Sequence, residues 1–175
     1  MDDTNGTAAP QPADFAAEGA PHETHLPREQ SLRHAVSTPR TGRIVVGVDG
    51  SPESVKALSR AADLANVLNT RLEIITTWRP YAGYAEMGAT DWSPERDARE
   101  IMAEAAGAEF GDVLPDWVTS SLREGNAAHR LIEASTGADM LVVGSRGHGG
   151  VVGLLLGSVS SACAEEAHCP VLVVR

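Results

Sequence analysis

The sequence is short of lysine, aromatics and cysteine, and each shortage removes a class of protein. Lys56 is the only lysine, so nearly all positive charge is arginine. The 14 lysines and arginines face 24 acidic residues, for a net charge of −10. Phosphate backbones are held by clustered cations, so a surface this acidic excludes a general nucleic-acid binder. Aromatic residues make up 4% of the chain and hydrophobic residues 42%. A core must then be built from Val, Leu, Ile and Ala, the composition of a parallel sheet covered by Ala-rich helices. Cysteine occurs twice, at Cys163 and Cys169 with five residues between them, which fits neither a CxxC pair nor a zinc-ligand spacing. Both are expected as reduced packing residues, with a redox pair as the alternative. No apolar run is long enough to cross a bilayer, and the N-terminus lacks the basic-then-apolar layout of a signal peptide. A cytoplasmic chain with no membrane partner is expected.

What is present divides at about Thr41. Residues 1–41 carry Pro10, Pro12, Pro21, Pro27 and Pro39, with few bulky apolar residues and no periodicity. Such a segment buries too little surface to offset chain entropy, so 1–41 is expected to be a disordered acidic tail. His22, His25 and His34 are scattered through it as solvated residues. From 42 to 175 a single domain is expected.

That domain alternates strands with helices. Ile44–Asp49 is a short β-branched run of the kind that forms a central parallel strand. Ser51 and Pro52 then supply a cap and a first helical position, and Val55, Leu58, Ala62, Ala65 and Leu68 recur on one helical face. Leu72–Trp78 is the second strand, stopped by Pro80. A long connection leads to Ser93-Pro94, which repeats the cap-then-proline signal, and the helix runs on towards Phe110. Trp117–Leu122 is a third strand, followed by a helix capped at Gly125-Asn126 and ended by Gly137. Ala138–Val143, a helix over Ser158–His168, and Cys169–Val174 complete five strands and four helices. Right-handed crossovers turn this order into an open, doubly wound parallel sheet with helices on both faces. Ligands bind such sheets outside the strands' carboxyl ends, where Asp49 and Gly144 can converge.

The glycines after the fourth strand carry the chemistry. Gly144, Gly147, Gly157 and Ser158 form the pattern G-x2-G-x9-G-S, leading into a helix. Glycines let backbone N–H groups approach an anion, and a helix start adds unpaired donors and a favourable dipole. A Walker A loop needs a lysine before its Ser or Thr, and Leu156 and its neighbours hold none. A dinucleotide GxGxxG fails because Val152 stands where the third glycine belongs.

With those excluded, the chain resembles the ATP-binding branch of the universal stress protein family, whose signature it matches at every defined position. The likeness extends over Ile44–Arg175 and includes Val48-Asp49-Gly50-Ser51 and His168-Cys169-Pro170-Val171. The resemblance implies a Rossmann-like fold and a bound ATP, with Mg2+ as a companion. It implies that Gly144 and Gly147 let a loop fold over ribose and phosphates. Gly157, Ser158 and the Val159 amide would hold phosphate oxygens. Asp49, beside Gly50, would accept from a ribose hydroxyl or hold a divalent cation. Thr77 would face the adenine through its backbone. Arg146 and His148 lie inside the loop and can meet the outer phosphates; a surface salt bridge for Arg146 and solvation for His148 are the alternatives. For Asp49 the alternative is a cap on the following turn, and for Ser158 an ordinary helix cap.

Hydrolysis needs an activated water and a positioned base, and no base with its orienting partner is visible. The expectation is a nucleotide-dependent stress or signalling module, with a slow ATPase or self-phosphorylating protein as the alternative. A receiver-type regulator is excluded by the lone Asp49 and the missing lysine after the fifth strand. The segment Gly149–Leu156 is apolar for a loop and is expected to cover the nucleotide or a partner subunit, and an unknown protein partner is expected as well. The strand Val171–Val174 is an apolar edge, and pairing with its twofold mate would give a homodimer.

Overall fold

The computed structural model describes residues 40–80, 93–148 and 155–175. The expected tail before Arg40, most of the connection after Pro80, and residues 149–154 of the apolar loop lie outside the described residues. Five strands and four helices alternate as the hydrophobic pattern predicts. They are β1 (Arg43–Gly47), α1 (Pro52–Val67), β2 (Arg71–Trp78), α2 (Pro94–Phe110), β3 (Val118–Glu124), α3 (Ala127–Ser135), β4 (Met140–Gly144), α4 (Ser158–Glu166) and β5 (Val171–Val174).

The helix starts are set by the residues that sequence singles out. The Ser51 side chain accepts the Ser54 N–H with Pro52 next in the chain, and Ser93 accepts the Arg96 N–H with Pro94 following. Asn126 caps α3 by accepting from the His129 N–H. Each cap satisfies one donor that the first helical turn leaves open. At α4 the helix starts at Ser158 as expected and stops at Glu166, short of the expected His168. Gly157 is the cap, so Ser158 is the first helical residue and not the cap, and among the described residues no side chain accepts from the first turn.

All strand pairings are parallel, in the order β3-β2-β1-β4-β5. Alternate residues of each central strand point to opposite faces. Ile44 and Val46 of β1 pack with Leu58, Ala61 and Ala65 of α1 and with Ala105 and Ala106 of α2. Val45 faces the other way, with Leu131 and Ala134 of α3 and Cys163 of α4. One sheet therefore carries two helical layers. The small Ala side chains let α1 and α2 lie close to β-branched strand residues.

Arg40, which composition assigns to the tail, is anchored to the domain. Its guanidinium donates to Ala65 O and Thr70 O at 2.8 Å and to Asn66 Oδ1 at 2.9 Å, closing the end of α1. It also lies 4.2 Å from the centroid of a Trp117 ring. A single long side chain making these contacts leaves no compositional trace.

Candidate functional site

The order of strands reverses between β1 and β4, because β2 and β3 were added on one side of β1 and β4 and β5 on the other. A doubly wound sheet opens a crevice at the carboxyl ends of such a pair. Beyond β1, the Val48 N–H still donates to Ile75 O at 2.9 Å, and Asp49 follows. Beyond β4, Ser145 is buried, and its N–H donates to Val174 O at 2.6 Å. The Ser145 carbonyl accepts the Gly157 N–H at 2.7 Å and the Ser160 hydroxyl at 3.0 Å. The chain leaves Ser145 and comes back to it. The start of α4 is thereby fixed over the strand ends.

The crevice is a pocket of about 390 Å³. Asp49, Thr77, Gly144, Arg146, Gly147, His148, Gly157, Ser158 and Val159 all line it. Gly50 alone of the sequence candidates does not. Its φ of +83° is the left-handed conformation that favours glycine, so turn geometry accounts for it.

The glycines of the motif are glycine for different reasons. A β-carbon on Gly144 would sit 2.8 Å from the carbonyl carbon of Glu53 and 2.9 Å from the Ser54 nitrogen. One on Gly147 would run into the Asp49 carboxylate. Gly144 is closed by backbone, whereas at Gly147 the obstacle is the far end of one side chain. At Gly157 φ is −78°, and a β-carbon would meet only ordinary contacts at 3.5 Å or more. Nothing within the described residues requires a glycine there, and the bare backbone faces the pocket.

Asp49 is held firmly. Its Oδ1 accepts the Ser51 N–H at 3.0 Å and the Ser51 hydroxyl at 2.6 Å, and Oδ2 accepts the His148 N–H at 3.4 Å. Burial raises the carboxyl pKa, but the hydrogen bonds from Ser51, Ser54 and His148 outweigh it and the net shift is downward. Asp49 therefore caps the turn, as the structural alternative had it, and still lines the pocket with an ionised carboxylate. Arg146 Nη2 lies 3.3 Å from Glu53 Oε1, the surface pairing that was the alternative to phosphate contact. His148 Nδ1 stands 3.9 Å from Asp49 Oδ2, too far for a hydrogen bond.

Among the described residues no group of three or more His, Cys, Asp or Glu side chains is placed to hold a metal ion. Asp49 can offer a cation one carboxylate, the other ligands coming from phosphate and water, as is usual for Mg2+. No helix among the described residues is long and apolar enough to cross a membrane.

Comparison with known proteins places this arrangement. The model of the universal stress protein family matches residues 41–175. The chain belongs to the universal stress protein family. A universal stress protein of Mycolicibacterium smegmatis is 37% identical over 133 residues, 75% of this chain and 45% of that protein. One from Mycobacterium tuberculosis is 34% identical over 139 residues, 78% of this chain and 46% of that one. The chain thus spans about half the length of the curated relatives it matches. A universal stress protein solved in complex with cAMP is 28% identical with a TM-score of 0.52, over 77% of this chain and 97% of the other. The Archaeoglobus fulgidus family member solved with dAMP shares the fold at 19% identity and a TM-score of 0.57, over 77% and 98%.

Sequence reasoning missed the pocket's apolar floor. Val48, Ile75, Leu131 and Val143 line it, although their sequence pattern marks them only as strand and helix core. Ser54 and Ser160 were also missed. Both hydroxyls are used internally, Ser54 on Ser51 O at 2.9 Å and Ser160 on Gly157 O at 3.0 Å.

Proposed function

We propose that this universal stress protein binds an adenine nucleotide, ATP in the reading we favour, at the β1/β4 crevice and uses its occupancy as a signal. The observation that carries this is the start of α4. Among the described residues Gly157 has no packing reason to be glycine and no side chain caps the first turn, and the donors there border a pocket with an apolar floor. Helix N-termini of this kind suit phosphate oxygens. The base would lie on Val48, Ile75 and Leu131 beside Thr77, and the phosphates at Gly157, Ser158 and Val159. Asp49 would accept from a ribose hydroxyl or hold Mg2+ against the phosphates. The cAMP complex of a relative 28% identical supports an adenine nucleotide as the ligand class.

Binding without efficient turnover is the form proposed. Asp49 engages Oδ1 with Ser51, and the His148 imidazole stands too far from Oδ2 for a hydrogen bond, so among the described residues no base is paired with an orienting partner. Mass spectrometry of small molecules released from the denatured pure protein is expected to find an adenine nucleotide. Finding none, with no binding at millimolar ATP, would refute the proposal. The proximity of His148 to Asp49 favours slow hydrolysis or self-phosphorylation as the second reading. Phosphate release that is lost in Gly157→Glu would establish turnover.

A twofold homodimer through Val171–Val174 is proposed with it. β5 is an edge of the sheet among the described residues, and all four of its residues are only partly buried. Leu155, 72% exposed beside the pocket segment, supports a further protein partner for the apolar loop. Sedimentation showing a monomer at micromolar concentration would remove the dimer.

A further inference from the structure

The cation at the pocket mouth is already paired before any ligand arrives. Arg146 is the one arginine or lysine among the described residues lining the pocket, and its guanidinium is bonded to Glu53 at 3.3 Å. Glu53 does not line the pocket. It belongs to the first turn of α1, whose backbone lies directly on Gly144, so its anchoring point cannot drift from the β4 end. Its side chain is 21% exposed and that of Arg146 51%.

We propose that Glu53 is a specificity-determining residue, the internal counter-ion that a ligand's outer phosphates must displace from Arg146. The inference rests on the nucleotide reading given above. Two consequences follow from elementary electrostatics. An ion pair this exposed is weak, so a phosphate oxygen can take over the guanidinium through charge-assisted hydrogen bonds. The Glu53 carboxylate then stays beside the phosphates and repels them in proportion to their charge. Glu53 thus penalises a triphosphate more than a monophosphate, and a monophosphate more than an uncharged nucleoside. It compresses the affinity range across the adenine nucleotides and makes the pocket less selective for ATP than its donors alone would be.

Calorimetric or fluorescence titration of the full chain with adenosine, AMP and ATP tests this in wild type and Glu53→Gln. The variant keeps the side-chain length at a partly buried position of the first helical turn, and circular dichroism checks its fold. Expected is an ATP affinity about five-fold tighter, AMP about two-fold tighter, and adenosine unchanged. The ATP gain should shrink at about 0.5 M salt, where exposed charges are screened. In an Arg146→Gln background the same Glu53→Gln change should still tighten ATP binding but by less than in wild type, since the repulsion remains while the cost of displacing the ion pair is gone. Equal shifts for all three ligands, no shift, or weaker ATP binding would overturn the role given to Glu53 while leaving the nucleotide site standing. Failure of wild type to bind any of the three overturns both.

Discussion

The first turn of α1 rests on the last residue of β4 so closely that Gly144 has no room for a β-carbon against Glu53, whose carbonyl carbon would be 2.8 Å away. The same signature contains Gly157, where a β-carbon fits. A motif written as one pattern therefore contains residues under two separate constraints.

Alanine substitution separates them. Gly144→Ala is expected to cost about 1–3 kcal/mol of stability, the usual range for overpacking against backbone. Gly157→Ala is expected to stay within about 1 kcal/mol of wild type, a poorer cap being offset by lower chain entropy. Only Gly157→Ala should combine near-native stability with a nucleotide affinity at least about ten-fold weaker. Chemical denaturation and ligand titration of both variants check the pair.

Asp49 gives a pH dependence of definite sign. Its folded pKa is depressed below the ordinary 3.8 because Ser51, Ser54 and His148 donate to the carboxylate. A depressed acid stabilises above the unfolded pKa, and the contribution is lost as pH falls through the folded value. The stability gap between wild type and Asp49→Asn is expected to be constant above about pH 5, to narrow below 3.8, and to level off below the folded pKa. Thermal melts of both proteins across this range test it.

Among the described salt-bridged acids, Glu73 has the least exposed side chain. Its Oε2 meets Arg43 Nη1 at 2.5 Å, and its Oε1 meets Arg123 Nη2 at 2.7 Å and the Ser121 hydroxyl at 3.2 Å, with the side chain 12% exposed. Glu73→Gln leaves two guanidinium groups without their shared anion. A loss of about 2 kcal/mol is expected, tempered by the partial exposure of both arginines. Urea unfolding measures it.

The two thiols should differ in reactivity. Burial, reinforced by Glu166, pushes Cys163 up to about 11, and it is fully buried. Cys169 is also raised by burial, but it is only partly covered. At pH 8 the thiolate fraction of Cys163 is on the order of 0.1%. Ellman's reagent on native protein is expected to label Cys169 first and slowly, and Cys163 only after denaturation.

The elements were legible because local signals agreed. Ser51-Pro52, Ser93-Pro94 and Asn126 are caps whose chemistry acts within one turn, and the β-branched runs mark the central strands. Strand ends were less sharp, as at β3, which runs on to Glu124 because parallel pairing with Trp78 holds it. The site's polar rim was legible as a motif, whereas its floor was not. Leu131 looks like any core leucine until α3 is docked beside β1. The Glu73 cluster and the Arg40 anchor join residues 25 or more positions apart, and no local pattern encodes such pairs.

The absence of a side-chain cap on α4 has a kinetic meaning. The amides of Ser158 and Val159 belong to a helix whose first turn is unfinished by the described residues, so they are expected to exchange with solvent soon after transfer to heavy water. A phosphate seated there would act as the missing cap and slow that exchange. The beginning of one helix would thereby become a clock that runs fast in the empty protein and slow in the occupied one. Hydrogen exchange at those two amides would report ligand state without any change of fold.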